Sequence, residues 1–159
     1  MNVTEMHVNE MNVTRRTLLS AGAAIGTLLV IRPALAEDVD LPSAIKAFTN
    51  GAPVQRGRVK LDIAPLVENG NTVPITVHVT SPMSAADHVL AITVLNEKNP
   101  QRDVITCHLG PRAGRADISA RIRLATSQKL VAIAQMSDGS FWSDSADVIV
   151  TLAACIETP

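Results

Sequence analysis

Aromatic residues and positive charge are both scarce in this chain. Its 159 residues include two Phe, one Trp and no Tyr, so the aromatic platforms on which proteins stack single-stranded nucleic acid are missing. The chain has 14 basic and 15 acidic residues and a formal net charge of −1. A protein that binds phosphate backbones needs a clustered basic surface. The composition therefore argues against a nucleic-acid partner.

Motifs for catalysis and metal binding are also missing. The sequence contains no Gly-x-Ser-x-Gly elbow, no phosphate-binding loop or dinucleotide fingerprint, and no paired catalytic carboxylates. Three histidines, with Met83 or Cys107, are the candidate metal ligands, but none has a metal-binding spacing. We interpret them as surface or half-buried histidines: His78, His88 and His108. No catalytic residue, metal or other cofactor is predicted, and the chain is not expected to be an enzyme.

Residues 1–36 have the organisation of an export signal. Residues 14–19 read Thr-Arg-Arg-Thr-Leu-Leu, a twin-arginine motif, and an apolar run over 18–31 leads to Ala-Leu-Ala at 34–36. This order predicts a cleaved signal and a periplasmic protein exported by the twin-arginine route. The apolar run is shorter than the roughly 20 residues of a membrane span, although an N-terminal anchor is the alternative. Met1 and Met11 both begin the sequence Met-Asn-Val-Thr, so either is a candidate start.

Cleavage after residue 36 would leave one domain, residues 37–152, and a C-terminal arm, residues 153–159. Three arginines and two glutamates belong to the signal, so 11 basic and 13 acidic residues remain. The mature protein is expected to be mildly acidic and free of the membrane. Its length suits a single domain with its own hydrophobic core.

The domain is predicted to consist of strands after one short helix. Residues 40–50 carry an apolar stripe between a capping Asp40 and an Asn-Gly stop, which predicts a helix. Apolar and polar residues alternate over 73–79, over 118–124 and briefly over 59–63, as in half-buried strands. Four further runs are apolar throughout and are expected to be buried on both faces or at a contact between sheets: 89–95, 104–109, 130–134 and 148–152.

Turn sequences separate these runs. Asn-Gly at 69–70, Asn-Pro at 99–100 and Ala-Gly at 113–114 predict bends, and Asp-Gly at 138–139 predicts a hairpin. No crossover helix lies between the strands, which argues against a parallel α/β fold. The pattern predicts an all-β protein, an immunoglobulin-like antiparallel β-sandwich of about seven strands with a short N-terminal helix.

Cys155 is the candidate functional residue. The last strand is expected to end near Leu152, and three extended residues span about 10 Å, so the thiol would stand clear of the domain. No Lys, Arg or His follows Lys129, and Glu157 is the nearest charged side chain. Because negative neighbours disfavour a thiolate, we predict a passenger thiol that a partner protein activates.

Cys107 leaves an alternative open. Two cysteines in an oxidising compartment can form a disulfide, and that bond requires their Cα atoms to lie within about 7 Å. Without the bond, Cys107 is expected to be a small buried hydrophobic residue in a strand.

Several stretches, in order and at matching spacing, resemble the SoxY family of sulfur-oxidation proteins: residues 68–74, 81–83, 99–100, 121–125 and 136–140, with Trp142. The resemblance runs from about residue 44 to 152. It implies an immunoglobulin-like sandwich that forms a heterodimer with a SoxZ-like subunit. It also implies a carrier in periplasmic thiosulfate oxidation, with sulfur intermediates held covalently on Cys155. The implied partner enzymes are a c-type cytochrome, a thiol hydrolase that releases sulfate, and a sulfane dehydrogenase.

The arm departs from the family pattern, which is Gly-Gly-Cys-Gly-Gly. Here Cys155 lies between Ala153-Ala154 and Ile156-Glu157. Glycine suits a thin arm because it has no Cβ, whereas β-branched Ile156 stiffens the chain. Glu157 places a negative charge beside an anionic adduct. A second hypothesis is therefore a non-carrying interaction domain that forms a heterodimer without sulfur transfer.

Overall fold

A computed structural model describes residues 39–152, which form one α-helix, one 3-10 helix and nine strands. None of the described helices is long and apolar enough to cross a membrane. The helix α1 is Leu41–Thr49 and the 3-10 helix is Pro111–Ala113. The strands are β1 (Val54–Arg56), β2 (Val59–Asp62), β3 (Leu66–Asn69), β4 (Val73–Val79), β5 (Val89–Asn96), β6 (Asp103–His108), β7 (Ala116–Ile122), β8 (Gln128–Met136) and β9 (Phe141–Leu152).

The strands form two sheets. The larger has the order β1-β9-β8-β5-β6, with β3 also paired to β9, and the smaller has the order β2-β4-β7. Strands β4, β5, β6, β7 and β8 pair antiparallel, which confirms the predicted immunoglobulin-like sandwich. The short strands β1 and β3 were not predicted, and both run parallel to β9. With only three and four mostly exposed residues, they carry no alternation that a sequence pattern can detect.

The main core lies between the two sheets. Strand β4 buries Val73, Ile75, Val77 and Val79 and exposes or half-exposes the residues between them, as the alternation predicted. Leu130 lies in the same core cluster and comes from β8, the central strand of the larger sheet. Each such side chain removed from water stabilises the fold by about 1.5–3 kcal/mol.

Helix α1 covers the other face of the larger sheet. Leu41 of the helix lies in one cluster with Val131 and Ile133, which alternate with the inward residues of β8. Phe48 packs edge-on against Phe141, with ring centroids 6.0 Å apart. Strand β8 is therefore buried on both faces, as its apolar run predicted, because a helix covers one face and the second sheet covers the other.

The ends of α1 are those predicted. Asp40 caps the helix by accepting a hydrogen bond from the Ser43 N–H at 2.9 Å. Hydrogen bonds from Ser43, the side-chain bond foremost, lower the pKa of Asp40 below its ordinary value. Asn50 closes the helix in the left-handed region, with φ of 52°.

The predicted hairpin joins β8 to β9. Gly139 has φ of 83°, a conformation that glycine adopts without strain. The Ser140 N–H donates to the Asp138 Oδ1 at 2.8 Å. Hydrogen bonds from Ser140, that of its hydroxyl first, lower the pKa of Asp138. The carboxylate therefore stays ionised to a lower pH than an ordinary aspartate does.

Two of the four apolar runs were wrongly predicted to be buried. Strand β6 is the edge of the larger sheet, and its residues are exposed or half-buried. The end of β9 exposes Ile149 and Leu152. An apolar run favours a strand, but it does not show whether another layer covers that strand.

A buried asparagine fixes the connection between β5 and β6. The Asn96 Oδ1 accepts from the Asn99 N–H at 2.9 Å. The Asn96 Nδ2 donates to the backbone oxygens of Gln101 at 2.7 Å and Arg102 at 3.2 Å. Asn96 is fully buried, whereas the turn that it holds is exposed or half-buried.

We expect Asn96→Ala to lower the free energy of unfolding by about 2 kcal/mol, because it removes a fully buried side chain and leaves the Asn99 N–H and the Gln101 backbone oxygen without their partner. Urea denaturation measures the change. Asn71→Ala is the control: the Asn71 side chain makes an exposed bond to the Asn69 Oδ1, and its loss should change stability by less than about 0.5 kcal/mol. Equal effects of the two substitutions would contradict the role assigned to Asn96.

Candidate functional site: the root of the C-terminal arm

The predicted carrier cysteine follows β9 closely in sequence. Cys155 and its neighbours Ala153, Ala154 and Ile156 lie outside the described residues 39–152. The structure defines the arm root, which we take as residues 149–152 of β9. The position and length of the arm relative to this root determine what the thiol can reach.

Hydrogen bonds to the rest of the domain hold the arm root up to Leu152, the last described residue. The Gly70 N–H donates to the backbone oxygen of Leu152 at 2.8 Å. The Thr151 Oγ1 donates to the backbone oxygen of Glu68 at 3.0 Å. Because β3 pairs in parallel with this part of β9, the domain holds its strand up to three residues before Cys155.

Loop residues hold the arm root on its other side. The Val150 N–H donates to the Ser127 Oγ at 2.9 Å. The Leu124 N–H donates to the backbone oxygen of Gly70 at 2.9 Å. The turn at Gly70 therefore bridges the end of β9 and the segment that follows β7. Residues 68–74 and 121–125, two of the family-like stretches in the sequence, meet at the arm root.

Apolar side chains are exposed around the arm root. Leu66 is 57% exposed, Ile149 is 59% exposed and Leu152 is 56% exposed. Leu66 and Ile149 are register partners in the β3–β9 pair, so they lie side by side on one face. The sequence pattern did not predict this exposure, since residues 148–152 read as a buried run.

The charged side chains near the arm root agree only in part with the prediction that Cys155 has no cation close to it. Lys129, the last cation in the chain, pairs with Asp147 at 3.4 Å. The Leu124–Gly70–Leu152 bonds, however, bring Arg123 towards the arm root although it is far from Cys155 in sequence. Only the fold reveals this proximity, because no local sequence signal connects the two segments.

Cys107 lies far from the arm root. Cys107 aligns across the sheet with Ile92, then Ala134, then Trp142. Three strand spacings separate β6 from β9, about 14 Å, and Leu152 lies ten residues beyond Trp142, about 33 Å along the strand. Three arm residues add a reach of about 10 Å. The register therefore argues strongly against a disulfide between Cys107 and Cys155 of one chain.

Cys107 is also not the buried residue that was expected. It is half-buried on β6, and within residues 39–152 it is a free thiol. The prediction was wrong because the apolar composition of β6 suggested a buried strand, whereas β6 lies at an edge of the sheet.

The histidines are exposed or half-buried, as interpreted from the sequence. His78 pairs with Asp117 on the smaller sheet, and His88 contacts the backbone oxygen of Ser84 at 3.0 Å. Met83 is buried and its sulfur accepts the Val89 N–H. Within residues 39–152, no group of three or more His, Cys, Asp or Glu residues could hold a metal ion.

The fold and the arm root together define an immunoglobulin-like domain whose last strand is hydrogen-bonded up to Leu152. The profile of the family "sulfur oxidation protein SoxY" matches residues 45–155. The chain belongs to this family, and sulfur oxidation is the process to which that membership assigns it.

Solved structures agree with this assignment. The sulfur carrier protein SoxY from Chlorobium limicola f thiosulfatophilum is 26% identical, with a TM-score of 0.60 over 71% of this chain and 97% of that chain. A superoxide reductase (neelaredoxin) from Ignicoccus hospitalis is 17% identical, with a TM-score of 0.54 over 59% of this chain and 80% of that chain. The second likeness concerns the fold alone. No curated protein matches the chain.

Proposed function

We propose that this protein is a periplasmic carrier that holds sulfur intermediates of thiosulfate oxidation covalently on Cys155. The observation that supports this most directly is the hydrogen bonding of β9 up to Leu152. Cys155 is therefore the third residue after a firmly held strand. The family match, which extends to residue 155, includes this cysteine.

The short tether suits delivery to an enzyme. A reach of about 10 Å lets the thiol enter a cleft while the domain stays outside. A partner at that distance must contact the surface around the arm root, where Leu66, Ile149 and Leu152 are exposed. Apolar residues of this kind are typical of surfaces that dock other proteins.

The chemistry is supplied by the partners. Cys155 as a thiolate and thiosulfate form Cys–S–S–SO₃⁻ and release two electrons, which a c-type cytochrome accepts. Water then cleaves the terminal sulfur–sulfur bond in a thiol hydrolase, giving Cys–S–S⁻, sulfate and two protons. A sulfane dehydrogenase oxidises the sulfur that remains. In the described residues, Lys129 is the last cation and is paired with Asp147, in keeping with a thiol that a partner activates.

We further propose that the protein is exported by the twin-arginine route and forms a heterodimer with a SoxZ-like subunit. The second candidate function is an interaction domain that forms this heterodimer without carrying sulfur. The Ala and Ile neighbours of Cys155 favour it, since they thicken an arm that is built from glycine in the family.

The intact mass of the protein tests the carrier function. We expect protein from the periplasm of thiosulfate-grown cells, purified without reductant, to carry added sulfur or sulfonate on a single residue. Protein from cells grown without thiosulfate is the control. A homogeneous unmodified mass under both conditions would favour the interaction domain, and a mass short by two hydrogens would reveal the internal disulfide that the strand register argues against.

A further inference from the structure

Ser127 holds the arm root at the point where the pairing of β8 with β9 stops. The last pair of residues between these strands is Gln128 with Val148. Beyond it, the Ser127 Oγ accepts the Val150 N–H at 2.9 Å and donates to the Val150 backbone oxygen at 3.4 Å. One hydroxyl therefore serves both backbone groups of Val150, as a residue of a neighbouring strand would do.

The backbone that carries Ser127 is itself fixed. The Ala125 N–H donates to the Asn99 Oδ1 at 2.9 Å. Gln128, which is buried, donates through its Nε2 to the same oxygen at 2.8 Å. Thr126 lies between these anchored residues, but its side chain is exposed and makes no hydrogen bond to another residue in the range 39–152. Ser127 thus presents its hydroxyl from a preorganised turn, and Thr126 offers a neighbour for comparison.

Burial contributes little to the closure of the arm root. Val148, just before the root, is buried and Val150 is half-buried. The remaining three residues of the root are exposed: Ile149, Thr151 and Leu152. On the side away from Ser127, the root pairs with β3, a strand of four residues of which one is buried. Two short strands with so little buried surface are marginally stable in water, and segments of this kind open at a low cost in free energy.

Closure of the arm root determines how far Cys155 reaches. With residues 149–152 held, Cys155 is the third residue after the strand, which gives a reach of about 10 Å. With these residues released, Cys155 is the seventh residue after Val148, and the reach grows to about 23 Å. A longer free chain also spreads the thiol over a larger volume, which lowers its effective concentration at any one point.

We propose that Ser127 is a positioning residue for the carrier thiol: its hydroxyl keeps the arm root closed and thereby fixes the reach of Cys155. Ser127 touches neither the thiol nor a sulfur intermediate in this role. It has the role only in a protein that carries sulfur on Cys155, so the inference rests on the proposed function. Closure of the root, however, is a property of the domain and is measurable without sulfur substrates.

An introduced cysteine measures how often the root opens. In the exported protein with Cys107→Ser and Ser145→Cys, residue 145 lies seven residues before Leu152 on β9, about 23 Å along the strand. Cys155 reaches about 10 Å from Leu152, and a disulfide joins Cα atoms within about 7 Å. The bond therefore cannot form while the root is closed. Once residues 149–152 open, the free chain spans the roughly 10 Å from Val148 to residue 145.

Oxidised glutathione drives this reaction: two protein thiols become a disulfide, and the oxidant is reduced to two glutathione molecules. Intact mass after alkylation measures the product. We expect Ser127→Ala to form the disulfide about five-fold faster, the scale of one hydrogen bond. Ser127→Thr keeps the hydroxyl and should match the parent rate, and Thr126→Ala is the control that should also match it. Equal rates for Ser127→Ala and Thr126→Ala would overturn the proposal.

Hydrogen exchange distinguishes opening of the root from a loss of overall stability. Ser127→Ala should speed exchange of the backbone amides of residues 150–152 about five-fold and leave the amide of Val77, on β4, unchanged. Acceleration throughout the domain would show that Ser127 only stabilises the fold, and the proposal would be wrong. Neither measurement involves thiosulfate or a partner enzyme, so a lack of adducts in cells would refute the carrier function alone.

Discussion

Cys155→Ala is expected to remove every sulfur adduct from the exported protein, whereas Cys107→Ala is expected to leave them in place. Cys107 is a half-buried thiol on an edge strand, with no tether that could carry it into a partner. Cys155 is three residues beyond a strand that is hydrogen-bonded to its end. Intact mass of both variants from thiosulfate-grown cells measures the difference.

The same pair of variants tests whether the two cysteines act separately. Neither substitution should change the thermal unfolding of the domain appreciably, because the strand register leaves the two thiols tens of ångströms apart. Adducts that persist in Cys155→Ala and vanish in Cys107→Ala would transfer the carrier role to β6 and refute the arm. A loss of adducts in both variants would indicate that both thiols take part.

Leu130→Ala is expected to lower the free energy of unfolding by about 4 kcal/mol. Leu130 is 0% exposed, lies on the central strand β8 and belongs to the cluster between the two sheets. Truncation of a leucine in such a core loses burial and leaves a cavity, with a total cost of about 2–5 kcal/mol. The upper part of that range applies because the strands on both sides of β8 limit how far the surrounding structure can relax into the cavity. Urea denaturation followed by circular dichroism measures the change.

Leu90→Ala provides the comparison, since Leu90 is exposed on β5, a strand of the same sheet. Its truncation should cost less than about 1 kcal/mol. If the two variants were equally stable, the core would not lie between the sheets. An unchanged denaturant slope for Leu130→Ala would show that the effect is on stability and not on the unfolded state.

The sequence was sufficient to predict the sandwich where local pattern and burial coincide. Strand β4 alternates because one face meets the core and the other meets solvent, and a period of two records both facts. Helix α1 was bounded by its own caps, Asp40 and Asn50. These elements depend on neighbours in sequence, so they could be predicted without knowledge of the fold.

Properties that depend on strand order could not be predicted in this way. Strand β6 has the composition of a core strand and yet lies at an edge. Strand β1 pairs with the side of β9 opposite β8 along residues 141–143, and β3 pairs with the part of β9 that extends past β8. The approach of Arg123 to the arm root arises from a bond between two distant segments, Gly70 and Leu124.

The residues of the candidate site also differ in whether local sequence could predict them. Cys155 was predicted from its position after the last strand, and it lies outside the described residues. The exposed pair Leu66 and Ile149 was missed, since it requires the parallel register of β3 with β9.

The attachment of the tail to β9 also determines how the domain responds to force. Strand β9 is flanked by β8 along residues 141–148 and by β3 along residues 149–152. A pull on the tail, parallel to the strand, would load many interstrand bonds at the same time instead of opening them one after another. Under such a pull the domain should therefore resist unfolding and behave as a rigid anchor.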